Sequence, residues 1–274
     1  MVIIDSHLHV WSDDEARYPF ATRPRRPGSV ELLLDEMERA GVDKAVIVQP
    51  INYLYDNRYV ADCLRRFPGK FAAVGLIDYK APDAPDRLER LVREDGFGGI
   101  RFHLSREPDP AVLAAPERDP LWERARQLGA CFIVLGTAER LPFLEPIIDR
   151  FPDVPVVIDH FGHVPVDEEP PRPLLGNLLR LARYPNVYVK VSNMNGMSKE
   201  PYPHRDAARI FRLVYDQFGP QRLMWGTDFP YVLDSCGYGP ALALVRDHAD
   251  FLTDEDKAWI LGRTAAKVWK LYID

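Results

Sequence analysis

Cysteine is scarce. Cys63, Cys131 and Cys236 are the 3 in 274 residues, far apart and without CxxC spacing, so the sequence encodes neither a disulfide framework nor a zinc ribbon. Long apolar runs are also missing. None approaches the roughly 18 residues that a spanning helix needs, and candidates such as 154–158 are broken by a proline, which predicts no membrane segment. Positive charge is not in excess: 35 Lys and Arg stand against 41 Asp and Glu, a net charge of −6, so the chain has no footprint for nucleic acid despite the local cluster Arg23, Arg25 and Arg26. The first long turn, residues 7–29, contains neither GxGxxG nor GxxxxGK[ST], which removes the main support for a nucleotide site. Met1-Val2-Ile3-Ile4 runs straight into Asp5 without a basic start or a long apolar stretch, and the expectation is a cytoplasmic protein.

What is present is an ordinary globular balance, 46% hydrophobic, at a length close to the roughly 250 residues of a (β/α)8 barrel. Short runs rich in Val, Ile, Phe and Leu recur at 2–7, 44–49, 71–77, 99–103, 130–135, 155–160, 187–192 and 222–228. Their continuous apolarity suits parallel strands covered on both faces. Helical periodicity fills the intervals. Ser29 is placed to cap a helix that runs through Ala40 and stops at Gly41, and Asp119-Pro120 opens one that ends at Gly129. Pro142 and Pro146 predict a bend or late start in 138–151, and Gly262 a break in 254–268. Alternation without a composition break predicts an α/β fold, one (β/α)8 TIM barrel forming a single domain over residues 1–274, in preference to an open doubly wound sheet.

In such a barrel the chemistry sits at the C-terminal ends of the strands. Strand one ends in Asp5-Ser6-His7-Leu8-His9, strand four in Arg101-Phe102-His103, strand six in Asp159-His160-Phe161-Gly162-His163, and strand eight in Gly226-Thr227-Asp228-Phe229-Pro230. His7 and His9 are two apart, so alternation turns both imidazoles to one face. An isolated HxH is more often a pair of loop histidines, and Asp228 alone can be a helix cap. Coupled at one mouth, the three favour a functional reading.

Those residues resemble the amidohydrolase-2 branch of the amidohydrolase superfamily, through Asp5-Ser6-His7-Leu8-His9-Val10-Trp11, Ile158-Asp159-His160-Phe161-Gly162 and Met224-Trp225-Gly226-Thr227-Asp228-Phe229-Pro230. The nearest likeness is to lactonases acting on 2-pyrone-4,6-dicarboxylate, 4-sulfomuconolactone and sugar-acid lactones. The resemblance implies a hydrolase that opens a cyclic ester. Metal-dependent relatives place a further His at the end of strand five, where this chain reads Val134-Leu135-Gly136-Thr137. Two cofactor readings therefore stay open: no metal required, or one divalent metal, Zn²⁺ first, on His7, His9 and Asp228.

The catalytic expectation is Asp228 as general base on water, with His7, His9 and His160 polarising the lactone carbonyl. Arg101 reads as a clamp for a substrate carboxylate, or equally as a buried partner of Asp78 or Asp159. His103 and His163 are weaker candidates for substrate contact, His103 being as readily a core histidine. Trp11, Asn52 and Tyr53 can wall the mouth or simply pack their loops, and Lys190 can bind an anion or pair with Asp228 or Asp159. His204 and His248 read as surface residues, and the segment after strand seven, from Asn193, as a flexible lid. The partner is a small-molecule lactone, and the chain is a monomer or homodimer. A metal-dependent decarboxylase of an aromatic or muconate-type acid is the alternative, with Leu135 against it; a barrel that only binds ligands has the imidazole and carboxylate set against it.

Overall fold

Each apolar run becomes a short parallel strand: β1 (Ile4–Leu8), β2 (Lys44–Val48), β3 (Phe71–Val74), β4 (Gly99–Phe102), β5 (Cys131–Val134), β6 (Val156–Ile158), β7 (Val187–Val191) and β8 (Leu223–Trp225). The computed structural model describes residues 1–170 and 172–272. β1 to β3 pair in order, as do β4 to β8. Two narrower seams join the sets. Gly75 N donates to Gly99 O (3.0 Å) and Arg101 N to Gly75 O (2.9 Å), while Asp228 N donates to His7 O (2.8 Å) and His9 N to Phe229 O (2.7 Å). Strand order thus runs once around and returns to β1, which is the predicted TIM barrel.

Alternation splits the apolar side chains into two layers. Ile4, Val46, Val48, Val74, Ile133, Val157 and Met224 fill the barrel interior, whereas Ala45, Ile47, Ala73, Phe132 and Val156 meet the surrounding helices. Trp269 and Ala265, from the helix Thr264–Trp269, join the inner layer. That helix therefore closes the lower end of the barrel, and the upper end is left open.

The sequence signals act locally as expected at several points. Ser29 Oγ accepts from Leu32 N (3.2 Å), and Gly41 ends the helix Val30–Ala40 in the left-handed region with φ 72°. The prolines of 138–151 produce a 3-10 turn, Leu141–Leu144, before the helix Glu145–Arg150. Three expectations are corrected. Asp119 lies inside its helix, Asp119–Leu128, instead of capping it. Gly262 does not break the last helix but sits in a π-helical turn, Trp259–Arg263, where a Cβ would stand 2.2 Å from Val2 O. His204 is buried, with Nδ1 at 3.0 Å from Glu200 O, while His248 is exposed as expected.

The segment after β7 is anchored as well. Asp206 accepts from the Ser198 hydroxyl, from Lys199 N (2.7 Å) and from Ala207 N (2.8 Å), so residues 198–207 form a tied turn. Among the described residues no helix is long and apolar enough to cross a membrane, and all three cysteines are free.

The close approach at Gly262 gives a direct test. Alanine normally favours a helix over glycine by up to about 1 kcal/mol, but here the added methyl meets the backbone that leads into β1. Gly262→Ala is expected to lose about 1–3 kcal/mol net, as overpacked cores do, measured as a lower urea midpoint. A raised midpoint would show that the β1 approach yields freely.

Candidate active site

At the open end, four strand ends bring their polar groups to one point. His7 Nε2 and His9 Nε2 each lie 3.6 Å from Asp228 Oδ1, and the two rings meet edge to face with centroids 5.1 Å apart. This is the convergence that alternation along β1 predicts. Asp228 adopts φ 64°, and the turn after β6 carries His160, Phe161 and His163 at φ 50–53°. Left-handed backbone at non-glycine residues costs energy and gathers where side chains must be aimed.

The protons of the imidazoles follow from their second nitrogens. His9 Nδ1 donates to Val48 O (2.7 Å), so its Nε2 turns a lone pair to the cavity. His7 Nδ1 lies 2.9 Å from Lys190 Nζ and 3.0 Å from Asp159 Oδ1. An ammonium only donates, so Lys190 places the His7 proton on Nε2, facing Asp228. Passing Nδ1–H to Asp159 instead frees Nε2 as a lone pair. His160 Nδ1 lies 2.8 Å from Ser192 Oγ, and a hydroxyl proton given there leaves His160 Nε2–H as a donor.

Beneath the imidazoles is a buried charge cluster. Asp159 takes Arg101 Nε at 2.8 Å on one oxygen and lies 3.1 Å from Lys190 Nζ on the other. Burial alone would raise the Asp159 pKa, but His7, Lys190 and Arg101 overcome it and hold the carboxyl well below its usual range. Burial lowers Lys190, against the attraction of Asp159, and drives His7 and His160 well below the ordinary imidazole value and His9 down to about 3. Burial thus favours the neutral form of these imidazoles. Asp228 is pushed up to about 8 by burial, with Arg101 opposing the shift. A second carboxylate, Asp5, is raised by burial to about 6 and is saturated by Thr227 N (3.0 Å), Thr227 Oγ1 (2.5 Å) and Tyr238 OH (2.9 Å). Its role is to join the β1 and β8 ends.

A cation fits this donor set. His7 Nε2 is buried without a hydrogen-bond partner, whereas Asp159 Oδ1 has His7 Nδ1 and Lys190 Nζ beside it. With the His7 proton on the Asp159-facing nitrogen, Nε2 carries a lone pair and is ready as a ligand. His7, His9 and Asp228 offer three ligand atoms within 4.8 Å of one another, the count common in catalytic zinc sites.

Above them lies a cavity of about 210 Å³ lined by His9, Asn52, Arg101, His103, Arg106, Leu135, His160, His163, Asn193, Asp228 and Tyr231, among others. Arg101 pairs with Asp159, as one of its two sequence readings expects, and it also lines the cavity. His103 has both ring nitrogens buried and unpartnered, and burial lowers it to about 3, so it is a neutral imidazole free to bond a ligand. Asn52 Nδ2 donates to Thr22 O (2.8 Å), which leaves its buried Oδ1 without a partner. His163 is exposed at the rim.

Three expected substrate contacts are corrected. Lys190 is wholly buried below His7, between Asp159 and the Trp269 ring, and does not reach the cavity. Trp11 is buried and donates Nε1–H to Arg26 O (2.9 Å). Tyr53 stacks on Phe20 at 4.7 Å and accepts from Ser12 N (2.9 Å), so both aromatics pack their loops. Arg106 and Tyr231 are lining residues that sequence reasoning missed. Tyr231 directly follows the strand-eight motif and meets the His9 ring edge at 6.1 Å. Arg106 lies three residues past His103, in a stretch without periodicity.

The family model described as amidohydrolase matches residues 4–271. The chain is 32% identical to the L-fucono-1,5-lactonase of Burkholderia ambifaria over 98% of this chain and 95% of that protein. It is 27% identical to the 4-sulfomuconolactone hydrolase of Hydrogenophaga intermedia over 83% and 74%. The crystal structure of a zinc-bound amidohydrolase from Burkholderia multivorans superposes with a TM-score of 0.86 at 23% identity, over 99% of this chain and 100% of that one.

Proposed function

Because the chain belongs to the amidohydrolase family, we propose that it is a hydrolase that opens a lactone bearing carboxylate or hydroxyl groups, the whole chain working as one barrel unit in the cytoplasm. The observation that carries this reading is the meeting of Asp228 and His9, with His7 buried against Asp228, at a cavity walled by Arg101, His103 and Arg106. Relatives named for fuconolactone and sulfomuconolactone support the cyclic ester as substrate.

The chain's own residues supply each part of the reaction. Asp228 in its ionised form takes a proton from water as that water attacks the carbonyl carbon. The His160 and His7 Nε2–H groups donate to the oxygen as it becomes an oxyanion. Collapse breaks the ring C–O bond, and Asp228 returns its proton to the departing alkoxide. His9 presents an acceptor nitrogen, so it orients the attacking water or joins His7 and Asp228 in holding a cation. A divalent metal bound there would act as a Lewis acid and lower the pKa of water. Arg101 and Arg106 meet the substrate's anionic or hydroxylated edge. Leu135 stands in the cavity wall just past the end of β5, and the missing imidazole there counts against the decarboxylase alternative.

A lactone panel followed by pH indicator, covering pyrone dicarboxylates, muconolactones and aldonolactones, with and without chelator, tests the reading. Acid release from at least one class is expected. Turnover that survives chelation assigns the chemistry to Asp228 and the imidazoles alone, and turnover lost on chelation and restored by Zn²⁺ assigns a metal to His7, His9 and Asp228. Silence across the panel would defeat the lactonase reading.

A further inference from the structure

Val164, Pro165 and Val166 follow the strand-six turn, and Gly196 and Met197 come from the short helix Met194–Met197 across the mouth. Together they enclose a second cavity of about 230 Å³. It shares His160, His163 and Asn193 with the candidate active site, so the two spaces meet at those side chains. Their chemistries differ. The first is walled by imidazoles, guanidinium groups, an amide and a carboxylate. Beyond the shared His160, His163 and Asn193, the second is walled by Val164, Pro165, Val166, Gly196 and Met197, and its two charges, Asp167 and Lys199, are paired with each other.

That ion pair ties the loop after β6 to the segment after β7, and the Asp206 turn holds the same segment through Ser198 and Lys199. The Asp206 turn anchors the wall that carries Met197, and the exposed ion pair bridges it to the opposite wall. Away from the imidazoles and amide it shares with the first space, an apolar wall whose charges are already matched offers little to a carboxylate or hydroxyl. Hydrocarbon is what gains from it.

We propose that this second space is a subsite for a non-polar substituent on the substrate. The preferred class is then a lactone ring whose polar edge faces Arg101 and Arg106, and which carries, on the side toward His163 and Asn193, an alkyl chain of a few carbons. The inference rests on the lactone-hydrolase reading and narrows it. A bare sugar-acid or dicarboxylate lactone would leave the space to water. Each methylene it takes up is worth roughly a fourfold gain in binding or in kcat/KM.

The test uses δ-valerolactone, δ-hexalactone, δ-octalactone and δ-decalactone, which share a ring and differ in chain length. For each, kcat/KM is measured, and the Kd of the corresponding open-chain hydroxy acid is obtained by calorimetry. Both quantities are expected to improve by about three- to fourfold per methylene until the space is filled. The slope is expected to flatten in Val166→Asp and in Met197→Gln, two variants on separate segments, so that misfolding of one does not blunt the test. Affinity independent of chain length in the native protein overturns the subsite, as does a slope that persists in both variants. Chain-dependent affinity without turnover of any lactone would keep the subsite and defeat the lactonase reading instead.

Discussion

Asp228→Asn is expected to lower lactone hydrolysis by about 10²–10⁴-fold while the fold becomes more stable at alkaline pH. The two effects share one cause. Burial raises the carboxyl to about 8, far above the roughly 3.9 of an unfolded aspartate. Between these values the folded protein holds a proton that the unfolded chain has released, so the contribution of Asp228 to stability is full below about pH 4 and declines as pH rises toward 8. An amide has no charge to bury. In the presence of chelator, the Asn variant should match the native protein near pH 4 and exceed it at pH 9 by on the order of 3 kcal/mol, since a pKa unit is worth about 1.4 kcal/mol and the side chain is not wholly enclosed. Urea denaturation across that range, paired with initial rates, checks both halves. Wild-type turnover in a folded variant would remove Asp228 from the base role. Loss of stability at every pH would recast it as a packing group.

The same residue shows what the sequence made legible. Eight runs of apolar, β-branched residues bounded by Gly, Pro or Asp are a strong signal because parallel barrel strands are covered on both faces. The rule that barrel chemistry sits at strand C-termini then made His7, His9 and Asp228 readable as a group. Strand ends were less legible. The run 222–228 is in ladder register with β7 only over Leu223–Trp225, because Gly226 to Asp228 then turn to present Thr227 and Asp228 while Asp228 N bonds across to His7 O, and apolarity carries no sign of that turn. Of the two readings of Lys190, the buried pairing with Asp159 holds and the substrate contact does not. Alternation gives the side of a strand, whereas the layer a side chain reaches depends on its partner, here Asp159. The His9 proton depends on a carbonyl 39 residues away, Val48 O, and Arg106 and Tyr231 sit on loops where no periodicity exists to read.

Asp159→Asn is expected to give the largest loss of stability of any single change at this site, about 3–5 kcal/mol, because it leaves Lys190 and Arg101 buried without their counter-charge. Lys190→Met should also destabilise, by removing one of the cations that hold Asp159 ionised. The double variant is expected to recover much of the sum, since it removes the pair together, and a double-mutant cycle by urea denaturation measures that coupling. The pH dependence runs opposite to that of Asp228. With the folded pKa of Asp159 held well below the usual value, its contribution is present in full above about pH 5, begins to fade as pH falls past the unfolded value near 4, and is lost only through the depressed folded pKa. The difference between native protein and Asp159→Asn should therefore be flat from pH 5 to 8 and shrink below pH 4. Additive single losses, or a difference that grows in acid, would mean that Lys190 and Asp159 do not share a charge balance. The cluster also bears on turnover. Asp159 and Lys190 are the two groups that contend for His7 Nδ1, so removing either fixes the His7 proton on one nitrogen. Lys190→Met frees Nδ1 to donate to Asp159, turns the Nε2 lone pair toward Asp228, and should cost kcat more than KM in the chelated enzyme. Equal losses in kcat and KM would instead place Lys190 in the scaffold alone.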